Sequence, residues 1–145
     1  MIVVATKKEL ELAKKRFKHK KIVATGVGGL NVINTLRKIP KYTRIINFGY
    51  CGSNSLPIGT EHRVGKCKLY HPGVKYKEPT YKLDGTVDCY TSDDFVTKTE
   101  IKKPCVFDME LAYILALGFK RVESIKIVSD NLDYKEYKES IGETK

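Results

Sequence analysis

A chain of 145 residues is long enough to bury one sizeable core without staples, so one domain over 1–145 and one site are expected. Lys and Arg number 27 against 17 Asp and Glu, a formal charge of +10 spread along the chain. Such a surface attracts anions in general and is equally accounted for by solvated lysines, so nucleic acid is an allowed partner but not the favoured one. The four cysteines are scattered without a C-x-x-C pair, no apolar run reaches membrane-spanning length, and no leader pattern opens the chain, so a cytoplasmic protein without membrane contact is expected.

In chain order, Ile2 to Ala5 reads as a short β-branched strand, and Leu10, Ala13 and Phe17 then recur at helical spacing. Residues Lys21 to Thr25 read as a second strand, Gly26 to Gly29 as a tight loop, and Leu30 to Lys38 as a helix stopped by Pro40. A third strand, Arg44 to Phe48, enters a glycine-containing turn at Gly49 to Gly52. This β-α-β-α-β order signals a mostly parallel sheet covered by helices. The segment from Glu61 to Tyr90 is turn-rich with β-type residues between the turns, which predicts strands or hairpins. Helical spacing returns at Met109, Ala112, Tyr113 and Ala116, closed by Gly118. Val122 to Val128 then reads as a core strand ending in Ser129-Asp130-Asn131, and a short polar helix follows from about Asp133.

Four separated segments carry a resemblance. Gly26-Val27-Gly28 with Asn31 looks like an S/T-G-I-G-x-x-N loop, and Ile46 to Gly52 is similar to I-N-T-G-S-A-G, with Leu56 to Gly59 matching a following L-x-x-G. Thr91 to Val96 resembles S-G-D-x-F-[IV]. Phe107 to Ala112 resembles V-x-M-E-x-A, and Ile127 to Asn131 resembles I-S-D-x-x-D at the proper interval after it. Each motif alone is weak; together, in order, they resemble the nucleoside phosphorylase/nucleosidase superfamily, closest to the methylthioadenosine/S-adenosylhomocysteine nucleosidases. The resemblance implies a single-domain, three-layer α/β/α fold with a mostly parallel mixed sheet. The middle and C-terminal elements look shortened against the family pattern.

Cleaving a purine N-glycosidic bond passes through an oxocarbenium-like sugar, so the base must be protonated, the ribose held and a nucleophile directed at the anomeric carbon. By resemblance Asp130 is the general acid at N7 of the purine, a role that needs a raised pKa, and this reading is favoured over that of a strand-end or cap aspartate. Glu110 matches the carboxylate that grips the ribose hydroxyls and Met109 the residue packed on the sugar, although acids at 108 and 110 also suit a helix start. Phe95 matches the aromatic that stacks on the base, with the Val96 backbone at the base edge. Glu9 matches the water-activating glutamate, yet Thr6-Lys7-Lys8-Glu9 is also a complete capping box, and the two readings are even. Gly49 and Tyr50 fall in the substrate-binding turn.

The resemblance further implies no cofactor and a homodimer or higher oligomer; no Cys/His pattern suggests zinc. Where phosphorylases carry a phosphate-binding arginine and serine, this chain has Asn47 and Tyr50, which favours water as nucleophile. The leading expectation is therefore hydrolysis of a purine nucleoside, 5′-modified or 5′-phosphorylated. The alternatives are phosphorolysis and a silent nucleoside- or nucleic-acid-binding module on the same scaffold.

Overall fold

The computed structural model describes residues 1–74 and 77–140. Strand β1 (Ile2–Val4) leads into helix α1 (Lys7–Arg16), which starts where expected because Thr6 Oγ1 accepts the Glu9 N–H at 3.2 Å while the Glu9 carboxylate returns to the Thr6 N–H. Strand β2 (Ile22–Ala24), helix α2 (Gly29–Leu36) and strand β3 (Arg44–Ser53) follow, and β2, β1 and β3 pair in parallel. The period-2 alternation of β1 sets the layers. Ile2 and Val4 pack with Ala13 of α1, Phe48 and Ile125, whereas Val3 packs on the opposite side with Val32 and Leu36 of α2.

The middle segment forms strands, as its composition predicts: β4 (Glu61–Leu69), β5 (Tyr81–Lys82) and β6 (Val87–Thr91). Strand β7 (Cys105–Asp108), helix α3 (Leu111–Ala116), strand β8 (Arg121–Asp130) and helix α4 (Tyr134–Ser140) complete the described chain. The result is a mixed α/β fold in which, among the described residues, five of the eight strand pairings are parallel. β8 lies parallel to β3 along its length and antiparallel to β4; β4 pairs β6, β6 pairs β7, and β7 returns to β3 at Gly52 and Ser53. Five strands therefore close into a ring around Cys51, Val64, Cys67, Cys89, Val106 and Val128.

Three sequence expectations need correction. Residues Gly49 to Gly52 are strand, not turn: β3 runs straight through them, and only a register shift between Cys51 and Gly52 marks the glycines. Strand β7 has no counterpart in the sequence reading, because four residues between polar loops are too short to show a period. Helix α3 begins at Leu111 rather than Met109, since Asp108 Oδ2 accepts the Leu111 N–H at 2.8 Å and so caps the helix from the end of β7.

Asp108 also joins the ring together. Its Oδ2 pairs with Lys126 Nζ of β8 at 3.0 Å, its Oδ1 accepts from Thr91 Oγ1 of β6, and both ionic side chains are almost wholly buried. Burial pushes the Asp108 carboxyl up, but the Lys126 ammonium and the Thr91 and Leu111 donors outweigh it and hold it below the usual range. Burial likewise opposes the charge on Lys126, and Asp108 restores it. Removing one member of such a pair strands the other in the core. We expect Lys126→Met to cost about 3–5 kcal/mol in urea unfolding, and Lys126→Met with Asp108→Leu to recover most of the loss. Equal loss in the single and double variants would show that the pair does not act as a unit.

Candidate active site

The parallel strands β1, β3 and β8 all point their C-terminal ends at one cavity, the position where open α/β sheets place ligands. It encloses about 520 Å³ including its mouth. Glu9, Tyr50, Phe95, Val96, Met109, Glu110 and Asp130, drawn from five separate segments of chain, line it together. Gly49, expected to bind substrate, does not.

Gly49 instead makes room. A Cβ on it would lie 2.5 Å from Glu9 Oε2, and one on Gly52 would lie 2.9 Å from Asp130 Oδ1. The two glycines thus let two carboxylates press against β3. The competing readings of Glu9 turn out to be compatible: Oε1 accepts the N–H groups of Ala5 (2.9 Å) and Thr6 (3.0 Å), Oε2 accepts that of Tyr50 (2.7 Å), and the side chain still borders the cavity. Capping fixes the carboxylate there.

Asp130, at the end of β8, is fully buried as a residue. Ser129 Oγ donates to its Oδ2 at 3.0 Å and the Leu132 N–H to its Oδ1 at 2.9 Å. Burial raises its pKa above the ordinary aspartate value, and the two hydrogen bonds only partly counter this. Leu132 adopts φ +69, a costly conformation for leucine that brings its N–H onto Asp130. Phe95 meets Tyr134 of α4 at 5.3 Å between ring centroids, so the last helix borders the same opening.

Glu110 sits at the N-cap position of α3 but does not cap it; its Oε2 accepts the Gly28 N–H at 2.7 Å instead. The backbone N–H that the glycine loop could offer to a bound anion is therefore already taken by a carboxyl of the chain's own. Burial first, then the charge of Asp108, push the Glu110 pKa to about 8. Lys126 and the Gly28 hydrogen bond oppose that shift.

Sequence reasoning missed Lys126 and assigned Asp108 no role beyond a helix start. The signal was present: a lysine between Ile125 and Ile127 in the core strand Val122 to Val128, and an aspartate closing Cys105-Val106-Phe107. A charge that a strand carries into the core needs a partner there. Glu9, Asp94, Asp108, Glu110 and Asp130 make the lining acidic, and among the described residues no Lys or Arg lines it. Among the described residues, too, no group of three or more His, Cys, Asp or Glu could hold a metal ion.

No protein-family model matches this sequence, and no curated protein matches it. Solved structures do match. A mutant methylthioadenosine nucleosidase from Helicobacter pylori with 5′-methylthioadenosine in its active site superposes with a TM-score of 0.77 at 14% identity, over 97% of this chain and 90% of the other. Futalosine hydrolase of Helicobacter pylori gives 0.77 at 14% identity over 97% and 89%. S-adenosylhomocysteine nucleosidase from Streptococcus pyogenes, in complex with 5-methylthiotubericidin, gives 0.76 at 18% identity over 97% and 88%. The chain therefore has the nucleoside phosphorylase/nucleosidase fold.

The protonation of Glu110 leaves a mark on stability. Folded Glu110 keeps its proton to about pH 8, whereas the ordinary glutamate value is 4.5, so its contribution favours the fold at low pH and is lost as pH rises through about 8. Tm should fall between pH 5 and 8.5, and Glu110→Gln should flatten most of that slope and melt higher than the parent at pH 8.5. Parallel melting curves for the two proteins would contradict the buried, protonated carboxyl.

Proposed function

We propose that this protein is a hydrolytic N-glycosidase that releases the base from a purine nucleoside or a 5′-modified purine nucleoside. One observation carries the reading: Glu9, Glu110 and Asp130, from segments far apart in sequence, meet in one cavity beside Phe95 and Met109, on the fold of known nucleosidases. In this reading Phe95 and the Val96 backbone hold the base, and Met109 and Glu110 hold the ribose. As the C1′–N9 bond breaks, its electron pair leaves with the base and Asp130, whose proton affinity burial has raised, protonates N7. Water placed by Glu9 adds to C1′ and passes its proton to that carboxylate. Glu110, protonated at neutral pH, can both donate to and accept from ribose hydroxyls.

Water is favoured over phosphate on two grounds. The Gly28 N–H is committed to Glu110, and the acidic lining presents no Lys or Arg among the described residues to a phosphate group. The lack of a lining Lys or Arg among the described residues equally disfavours a 5′-phosphorylated substrate. We further read the chain as a single three-layer domain with shortened middle and C-terminal elements, cytoplasmic, and assembled as a homodimer or larger. The exposed Val27, which lines the cavity, and the exposed Leu30 and Ile33 on the adjoining helix α2 support the assembly.

Chromatographic assay of base release from purine nucleosides, 5′-thio-modified nucleosides and nucleoside monophosphates, with and without phosphate, tests the proposal. Release should be independent of phosphate and fall about 10²- to 10⁴-fold in Asp130→Asn. Gly49→Ala, which pushes on Glu9, should lower kcat more than it raises KM. Release that requires phosphate, or none from folded protein, would overturn the hydrolytic reading.

A further inference from the structure

The acidic cavity leaves the +10 charge to be placed elsewhere, and the topology collects much of it at the opposite end of the sheet. Helices α1 and α2 run back from the cavity end, so their C-termini and the N-termini of β2, β3 and β8 share one pole. Six of the eight residues from Lys14 to Lys21 are Lys or Arg and are brought there by the end of α1. Cations at a helix C-terminus complement its dipole, and that alone needs no partner.

Two further features are not explained by the dipole. Arg44, Arg63 and Arg121, from three strands, converge on the single carboxylate of Glu123. Arg44 Nη2 reaches both Glu123 oxygens at 2.8 and 2.9 Å, while Arg63 and Arg121 approach at 3.5 and 3.7 Å. The arginine side chains remain 46%, 53% and 64% exposed against 10% for Glu123, which leaves two guanidinium charges in surplus and their forks open to solvent. Two residues before Arg44, in the turn that leads into β3, Tyr42 is 78% exposed. That turn is fixed to the start of β8, since the Lys120 N–H donates to the Lys41 carbonyl at 3.0 Å and Lys41 Nζ lies 4.6 Å from the Phe119 ring centroid. The Met1 ammonium at the same pole has its pKa lowered by burial and then by repulsion from Lys20 and Arg44.

We propose that this pole is a docking surface for single-stranded nucleic acid, with the Arg63, Lys120 and Arg121 charges on the phosphodiester backbone and Tyr42 stacked on an unpaired base. Rigid guanidinium forks beside an exposed aromatic ring are the elements that single-strand binding surfaces use. β8 runs from Arg121 at this pole to Asp130 in the cavity, about 30 Å at about 3.3 Å per residue, so the two sites are separate. The inference is independent of the glycosidase reading.

Fluorescence anisotropy with labelled single-stranded RNA and DNA of about 20 nucleotides, longer than typical single-strand site sizes, tests it. Affinity should fall with salt between about 50 and 200 mM with a log–log slope of about −2 to −3. The triple variant Arg63→Gln/Lys120→Gln/Arg121→Gln should weaken binding at least tenfold and reduce the slope. Tyr42→Ala should weaken it about five- to tenfold with the slope unchanged. A control that removes as many charges elsewhere, Lys7→Gln/Lys98→Gln/Lys102→Gln, should change it less than twofold, with melting curves establishing that every variant is folded. Equal loss in the control, displacement by polyglutamate as effective as by oligonucleotide, duplex bound as tightly as single strands, or no effect of Tyr42→Ala would each overturn the proposal.

Discussion

The Lys126–Asp108 ion pair is the constraint on which the remaining geometry depends. Net stability is a poor explanation for it, because desolvating two charges offsets most of their attraction. Its effect is positional. Asp108 can remain ionised in the core only where Lys126, Thr91 and the Leu111 N–H all reach it, and that requirement brings β6, β7, β8 and the start of α3 to one point. Once α3 starts there, Glu110 follows at its N-cap and meets the Gly28 loop. A methyl or a hydroxyl in place of either charge would not demand that meeting.

Around this point the cavity concentrates acids that would repel one another if all were ionised. The arrangement separates them by environment. Asp108 has a cation and stays charged; Glu110 has one backbone donor and carries its proton to about pH 8; Asp130 is buried with two donors and sits above the ordinary range. Glu9 is held by three backbone N–H groups. Asp108, Glu110 and Asp130 thus differ in proton affinity through burial, neighbouring charge and hydrogen bonding, while backbone donors fix the position of Glu9, the condition for dividing acid, positioning and water-directing work among them. Room for two of them comes from Gly49 and Gly52, where β3 offers no side chain.

Charge is divided on a larger scale as well. Parallel β-α units run their helices back from the cavity, so the basic ends of α1 and α2 and the first residues of β3 and β8 gather far from the acids. A sequence average of +10 hides this polarity. It describes neither the acidic cavity nor the basic pole.

Much was legible in the linear chain, for physical reasons that are local. The capping box at Thr6 and Glu9, the β-branched runs of β1, β2 and β8, and the turn residues between 61 and 90 act over a few bonds, so residue type and spacing determine them. The motif residues Glu9, Phe95, Met109, Glu110 and Asp130 were identifiable from resemblance, and the fold brings them to one cavity. What only the tertiary structure decided was non-local: that Gly49 to Gly52 continue a strand, that four residues at 105–108 close a ring, and that Gly28 holds Glu110. Each depends on a partner more than 50 residues away in sequence, Phe107 and Val106 for the end of β3 and Glu110 for Gly28. The charge states follow the same division, because a carboxyl's proton affinity is set by what surrounds it after folding, and the sequence determines only that the carboxyl is there.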